Sequence, residues 1–190
     1  MKSQATMNFK RVMMKNRARI VSSLVFVFLI ASTVAVAASD QSDVRAAVQH
    51  IFDQLKSGQY GALYDSLPNS ARSRISRERL VSGLQQSQNA FQLQRIEIGS
   101  VSVLGNLAVV DTTMYAHVTK PFDAEGKLVV QQYLIREDGK WKVATGDTAT
   151  INQFLKNNPS FARRFPIRKP RAFVNQNGKW TEIPLGQRRA

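Results

Sequence analysis

Gln131-Gln132-Tyr133-Leu134-Ile135-Arg136-Glu137-Asp138-Gly139-Lys140-Trp141-Lys142-Val143 decides how the whole chain reads. Two runs rich in β-branched and aromatic residues flank Asp138-Gly139, a pair that readily takes the positive φ angles of a tight hairpin turn. Working outward, extended segments are predicted at 91–104, 107–119, 127–136 and 140–145, with turns at Gly105-Asn106, Pro121 to Gly126 and Asp138-Gly139. The first segment is too long for one straight strand, so Gly99 is expected to mark a bulge or bend. Together these segments make an antiparallel sheet.

Upstream the period changes from two to 3.6. Val44, Ala47, Val48, Ile51, Phe52 and Leu55 recur at intervals of three and four, the stripe of an amphipathic helix over 43–57 that Gly58 ends. Tyr60, Leu63, Tyr64 and Leu67 share one face of a shorter helix that Pro68 stops. Ser76 is placed to cap a third helix, with Ile75 and Leu80 spaced as a hydrophobic staple; its apolar side fades into Gln85-Gln86-Ser87-Gln88-Asn89, expected as a surface loop. Thr150 and Gln153 have the spacing of a capping box for a short helix through Leu155. Helices first and a long sheet after them give an α+β fold, three N-terminal helices packed on a curved antiparallel sheet.

The 190 residues carry a formal charge of +14, and its placement matters more than its size. Residues 1–19 hold six basic groups and no acid, residues 156–190 hold nine basic groups against Glu182 alone, and the stretch between them is neutral. Behind the basic start lies an uncharged run, 20–38, closing on Ala35-Val36-Ala37. This is the layout of a secretory leader with a small-x-small cleavage site. Its length also suits a retained anchor with a positive cytoplasmic flank. Either way the domain 39–155 and the extension 156–190 are expected outside the cytoplasm, periplasmic or secreted. Cysteine is absent, which excludes disulfides, thiolate nucleophiles and lipidation of a mature N-terminal cysteine.

Three stretches resemble the nuclear-transport-factor-2-like superfamily, which includes ketosteroid isomerase and SnoaL-like cyclases. They are the first helix running into Ser57-Gly58-Gln59-Tyr60-Gly61-Ala62-Leu63-Tyr64, the break Leu67-Pro68-Asn69-Ser70-Ala71-Arg72 with the helix beyond it, and the closing Asp138-Gly139 hairpin. The resemblance spans about residues 43–148 and implies a cone-shaped roll of the cystatin-like kind. That superfamily hosts enzymes, transport factors and scaffolds alike, so the resemblance implies a shape and leaves the activity open.

For chemistry, alternation along 107–119 puts Asp111, Thr113, Tyr115 and His117 on one face and Val110, Thr112, Met114, Ala116 and Val118 on the other. Asp111 as base, Tyr115 as oxyanion donor and His117 as proton shuttle are the candidate catalytic set. The more apolar face is expected to pack on the helices, leaving the Asp-His face in water or at a homodimer contact. Tyr60, Tyr64, Phe91 and Tyr133 are the candidate lining of a ligand cavity. No phosphate loop, GxSxG elbow, HExxH or calcium loop occurs, and two histidines 67 positions apart make no metal site, so neither cofactor nor metal is expected.

Arg163, Arg164, Arg168, Lys169 and Arg171 sit among Phe161, Phe165, Pro166 and Pro170, whose prolines oppose a regular helix. A hairpin around Asn177-Gly178 follows. An anionic membrane surface or an acidic protein face suits this extension, and export argues against nucleic acid. The leading expectation is an exported, non-catalytic domain of the bacterial envelope that binds a protein or a small apolar ligand. The alternatives are an isomerase- or cyclase-type enzyme, or a membrane-anchored subunit resembling the inner-membrane scaffold of type IV secretion systems.

Overall fold

The computed structural model describes residues 39–119, 123–144 and 148–185. The leader with its Ala35-Val36-Ala37 site, the start of the Pro121 to Gly126 turn and Thr145 at the end of the fourth predicted segment lie outside the described residues. Within them the chain is a mixed helix and antiparallel-sheet structure, and Gln41–Ala190 form one compact unit.

Helix α1 covers residues 39–56, followed by α2 (Tyr60–Asp65), α3 (Asn69–Arg72) and α4 (Arg77–Gln88). The Ser76 hydroxyl accepts the Arg79 backbone N–H at 3.3 Å, closing the start of α4 as its sequence predicts. The expected loop Gln85–Gln88 is instead helical. Gln is a good helix former, and an already capped helix propagates through it without an apolar stripe.

Strands β1 (Phe91–Leu104), β2 (Leu107–Val118), β3 (Ala124–Glu137) and β4 (Lys140–Val143) form the antiparallel core of the sheet. Asp138 and Gly139 both have positive φ, 52° and 74°, as a two-residue hairpin turn requires. Strand β3 starts three residues earlier than its composition suggests, because pairing with β2 continues to Val118 opposite Ala124.

Strand β1 bends at two register shifts, one between Leu93 and Arg95 and one between Ile98 and Val101, which brackets Gly99. A bulge leaves backbone groups without a ladder partner. Helix α1 supplies the missing donors: Lys56 Nζ donates to the Gln94 carbonyl at 2.7 Å, and the Arg45 guanidinium to the Ile98 and Gly99 carbonyls at 2.9 and 2.7 Å. The irregularities that curve the strand therefore also fix the first helix across it.

After β4 come α5 (Thr148–Asn157), α6 (Pro159–Arg164), β5 (Arg171–Gln176) and β6 (Lys179–Ile183). Helix α5 begins two residues before Thr150, so the expected capping box lies inside it. The prolines do keep residues 166–170 irregular, but Pro159 opens a helix. At the first helical position its missing N–H costs nothing. Strand β5 pairs with the first half of β3, and β4 with its second half, giving the order β1-β2-β3-β5-β6 with β4 beside β3. The stretch 156–190, expected as an appended extension, thus supplies two strands of the sheet and a core helix.

Two cores result, one on each sheet face. Val44 and Val48 of α1 pack on Ala108, Val110, Leu134 and Val143. On the opposite face Val109, Tyr133 and Ala144 pack against Phe154 and Phe161. The alternation along β2 correctly assigns Val110 to the helix side. The other face is not left open, however, because α5 and α6 of the same chain cover its Val109–Tyr133 end.

Candidate functional site

The helix-facing core is incompletely filled. Between α1, α2, α4 and the sheet lies a cavity of about 280 Å³, lined among the described residues by eleven apolar side chains and one polar one, Gln132. Val48, Phe52 and Leu55 project from the α1 stripe, Leu63 from α2, Leu80 and Leu84 from α4, and Met114 and Val143 from the sheet. The helical spacing of three and four residues converges these side chains on one volume. None of these described lining residues is titratable.

Gln132 belongs to the file Leu128, Val130, Gln132, Leu134 that alternation turns toward the helices, in register with Val110 on β2. It is 9% exposed and makes no side-chain hydrogen bond to another described residue. Its neighbour Gln131, on the opposite face, is engaged through its carbonyl oxygen: Oε1 accepts from the Tyr133 hydroxyl at 3.1 Å and from the Arg168 backbone N–H at 2.8 Å. Gln132 was not among the expected site residues. A legible signal was present in the sequence, one polar residue interrupting an otherwise apolar file.

A second cavity, about 430 Å³, adjoins the first and shares Leu55 and Leu84 with it. Its walls include Lys56, Tyr60, Gln88 and Phe91. Of the four aromatics expected to line one pocket, Tyr60 and Phe91 meet here. Tyr60 is buried, which raises its phenol pKa, and Phe91 is exposed. Tyr64 instead donates to the Arg72 carbonyl at 3.3 Å beneath the Arg77 guanidinium. Tyr133 lies in the opposite core, its ring 5.8 Å from that of Phe154; burial first, with a smaller contribution from Asp111, pushes its phenol up, partly countered by Arg168. The four do not share a cavity.

Nor do the three candidate catalytic groups. Asp111 accepts from Ser100 Oγ at 2.6 Å and is ion-paired with Arg168. Tyr115 donates to Glu97 at 3.0 Å and carries Arg95 over its ring. His117 faces Asp123 at 3.0 Å and Glu125 at 3.5 Å. Six residues of strand separate Asp111 from His117 by roughly 20 Å, at about 3.3 Å per residue. Each group answers to its own neighbours, and no single small ligand spans all three.

The basic set also divides. Arg168 is held by Asp111, and Arg171 donates to Glu182 at 3.0 and 2.7 Å. Arg163 leans on Ser160, Arg164 lies over the Phe165 ring, and Lys169 is exposed. Among the described residues no cluster of three or more His, Asp or Glu is arranged to hold a metal ion, and no helix is long and apolar enough to cross a membrane.

No family model matches the chain, and no curated protein does. Solved structures with a similar chain course include an LEH-like epoxide hydrolase from M. tuberculosis, at 13% identity and TM-score 0.39 over 67% of this chain and 98% of that one. Another is a domain of unknown function with a cystatin-like fold from Nostoc punctiforme, at 15% identity and TM-score 0.40 over 66% of this chain and 91% of that one.

Proposed function

We propose that this protein is an exported, non-catalytic binding domain that holds a small apolar molecule between its helices and its sheet. The apolar cavity with a single polar wall group carries the reading. Small-molecule sites are concave, mostly apolar and furnished with a few placed polar groups, at about 300–1,000 Å³; 280 Å³ falls just below that range, room for a small ligand only. Proton-transfer chemistry needs a base or acid within about 3 Å of the reacting atom, and the described cavity wall offers none. Asp111, Tyr115 and His117 are on the other side of the sheet. Export rests on the basic and then apolar leader.

A second reading, contact with an anionic envelope surface, is favoured by Arg163, Arg164 and Lys169. None of the three is paired with a carboxylate among the described residues. Such groups contribute about 1 kcal/mol each near an anionic bilayer.

The cavity is tested with the neutral fluorophore N-phenyl-1-naphthylamine. Saturable binding to the wild type, lost in Leu84→Trp without loss of the folded circular-dichroism spectrum, is the expected result. Absence of binding, or equal binding to the filled variant, would overturn the reading. Intact mass of the protein recovered from the envelope decides separately whether residues 1–37 are removed.

A further inference from the structure

Resting on the reading of the cavity as the ligand site, we propose that Gln132 selects the ligand: a neutral molecule with one hydrogen-bonding group at the end that enters first. The apolar body then trails toward Leu55 and Leu84. Three observations combine. Gln132 is the one polar residue among the described lining, it is more than nine-tenths buried, and its amide has no partner among the described residues.

The Gln132 amide is not sealed off, since Trp141 Nε1 is the one fully buried side-chain polar atom without a partner among the described residues. A ligand group that displaces water from this amide must therefore replace the hydrogen bonds the water made. A primary amide offers both a donor and an acceptor but no charge. It therefore complements a hydroxyl, a carbonyl or another amide, and it cannot neutralise a carboxylate or an ammonium carried into an apolar cavity. Such a charge would be desolvated without compensation. Position sets the orientation. Leu55 and Leu84 form the boundary with the outer cavity, where Lys56, Gln88 and Gln92 supply polarity, whereas Val48 and Val143, which line the cavity with Gln132, belong to the close-packed core of α1 and the sheet. The hydrogen-bonding end of the ligand lies at Gln132.

Gln132→Leu against wild type tests this, using three probes that compete for the fluorophore at pH 8: 1-octanol, octanoate and n-nonane. Wild type is expected to prefer octanol to octanoate by about tenfold or more, the penalty of burying an unpaired carboxylate. The variant should lose roughly 2- to 12-fold in octanol affinity, one net hydrogen bond, while nonane binds it at least as well. Equal competition by all three probes, or a variant that keeps its octanol affinity, would overturn the role of Gln132 while leaving the cavity a ligand site. Failure of every probe to compete would overturn the cavity reading itself.

Discussion

Truncating Phe161 to alanine asks whether the C-terminal stretch is an arm or part of the fold. The ring is 1% exposed, with centroids 4.9 Å from Phe165, 5.8 Å from Phe154 and 6.4 Å from Tyr133. Removing a buried phenylalanine costs about 3–5 kcal/mol through lost transfer energy and the cavity left behind. That is a large share of a domain's whole stability of about 5–15 kcal/mol. For a domain of this size each kcal/mol moves the melting temperature by about 2–4 °C, so Phe161→Ala should melt roughly 6–20 °C lower. Thermal melts followed by circular dichroism, with urea unfolding for the free energy, measure it. Arg163→Ala, an exposed position two residues on, serves as control and should stay within about 0.5 kcal/mol. A loss under about 1 kcal/mol at Phe161, or a chain ending at Leu155 that melts like the full domain, would refute the packing argument.

Other consequences are equally measurable. Replacing Arg45 or Lys56 by methionine strips the donors from the bulge carbonyls and should cost about 1 kcal/mol each at these exposed positions, with faster amide hydrogen exchange around Gly99 and Gln94 respectively. Gly126 lies buried between β2 and β5, and a Cβ there would stand 2.6 Å from Val118 Cγ2. Because valine has little χ1 freedom to move away, Gly126→Ala should destabilise by about 1–3 kcal/mol in urea unfolding. Hydrogen bonds from Arg95 and Arg171 hold the carboxyls of Glu97 and Glu182 below the usual glutamate range. Their contribution is therefore complete above about pH 4.3 and fades as the pH falls through the lower folded-state values. Glu97→Gln and Glu182→Gln should lower stability most at pH 6 to 8, where the wild type has the whole contribution, and approach the wild type at low pH, so that the acid limb of the curve flattens.

What the sequence made legible was local. Asp138-Gly139 announces its turn because the dihedrals it needs belong to those two residues, and the α1 stripe is visible because its period is built into one helix. Alternation likewise separated Val110 from Asp111. What it could not announce was what covers the second face, since Arg168 lies 57 positions from Asp111 and no local pattern links them. The same blindness made Arg168 and Arg171 read as free cations when each has a carboxylate. Tyr133 was assigned to a ligand pocket on its chemistry, although strand parity already placed it opposite Gln132. Asp111, Tyr115 and His117 stand apart for a reason of length, since residues on one strand face recur every two positions and draw away from one another along the strand.

Strand β3 carries the physical compromise. Its Tyr133 face is sealed by Phe154 and Phe161, while its Gln132 face borders unfilled space. Empty apolar volume forfeits dispersion contacts and destabilises by about 24 cal/mol per Å³ of residual cavity, so a protein that keeps such space must find stability elsewhere, and here the aromatic cluster supplies it. Ligand and packing should therefore compete for the same free energy. Saturating octanol at 100 times its dissociation constant should add about 2.7 kcal/mol to the wild type. Leu84→Trp, which occupies the volume permanently, should raise the melting temperature of the empty protein and abolish that gain. If Leu84→Trp instead melts lower and octanol still stabilises it, the space between helices and sheet is not where the ligand goes, and the binding site must be sought on the other side of β3.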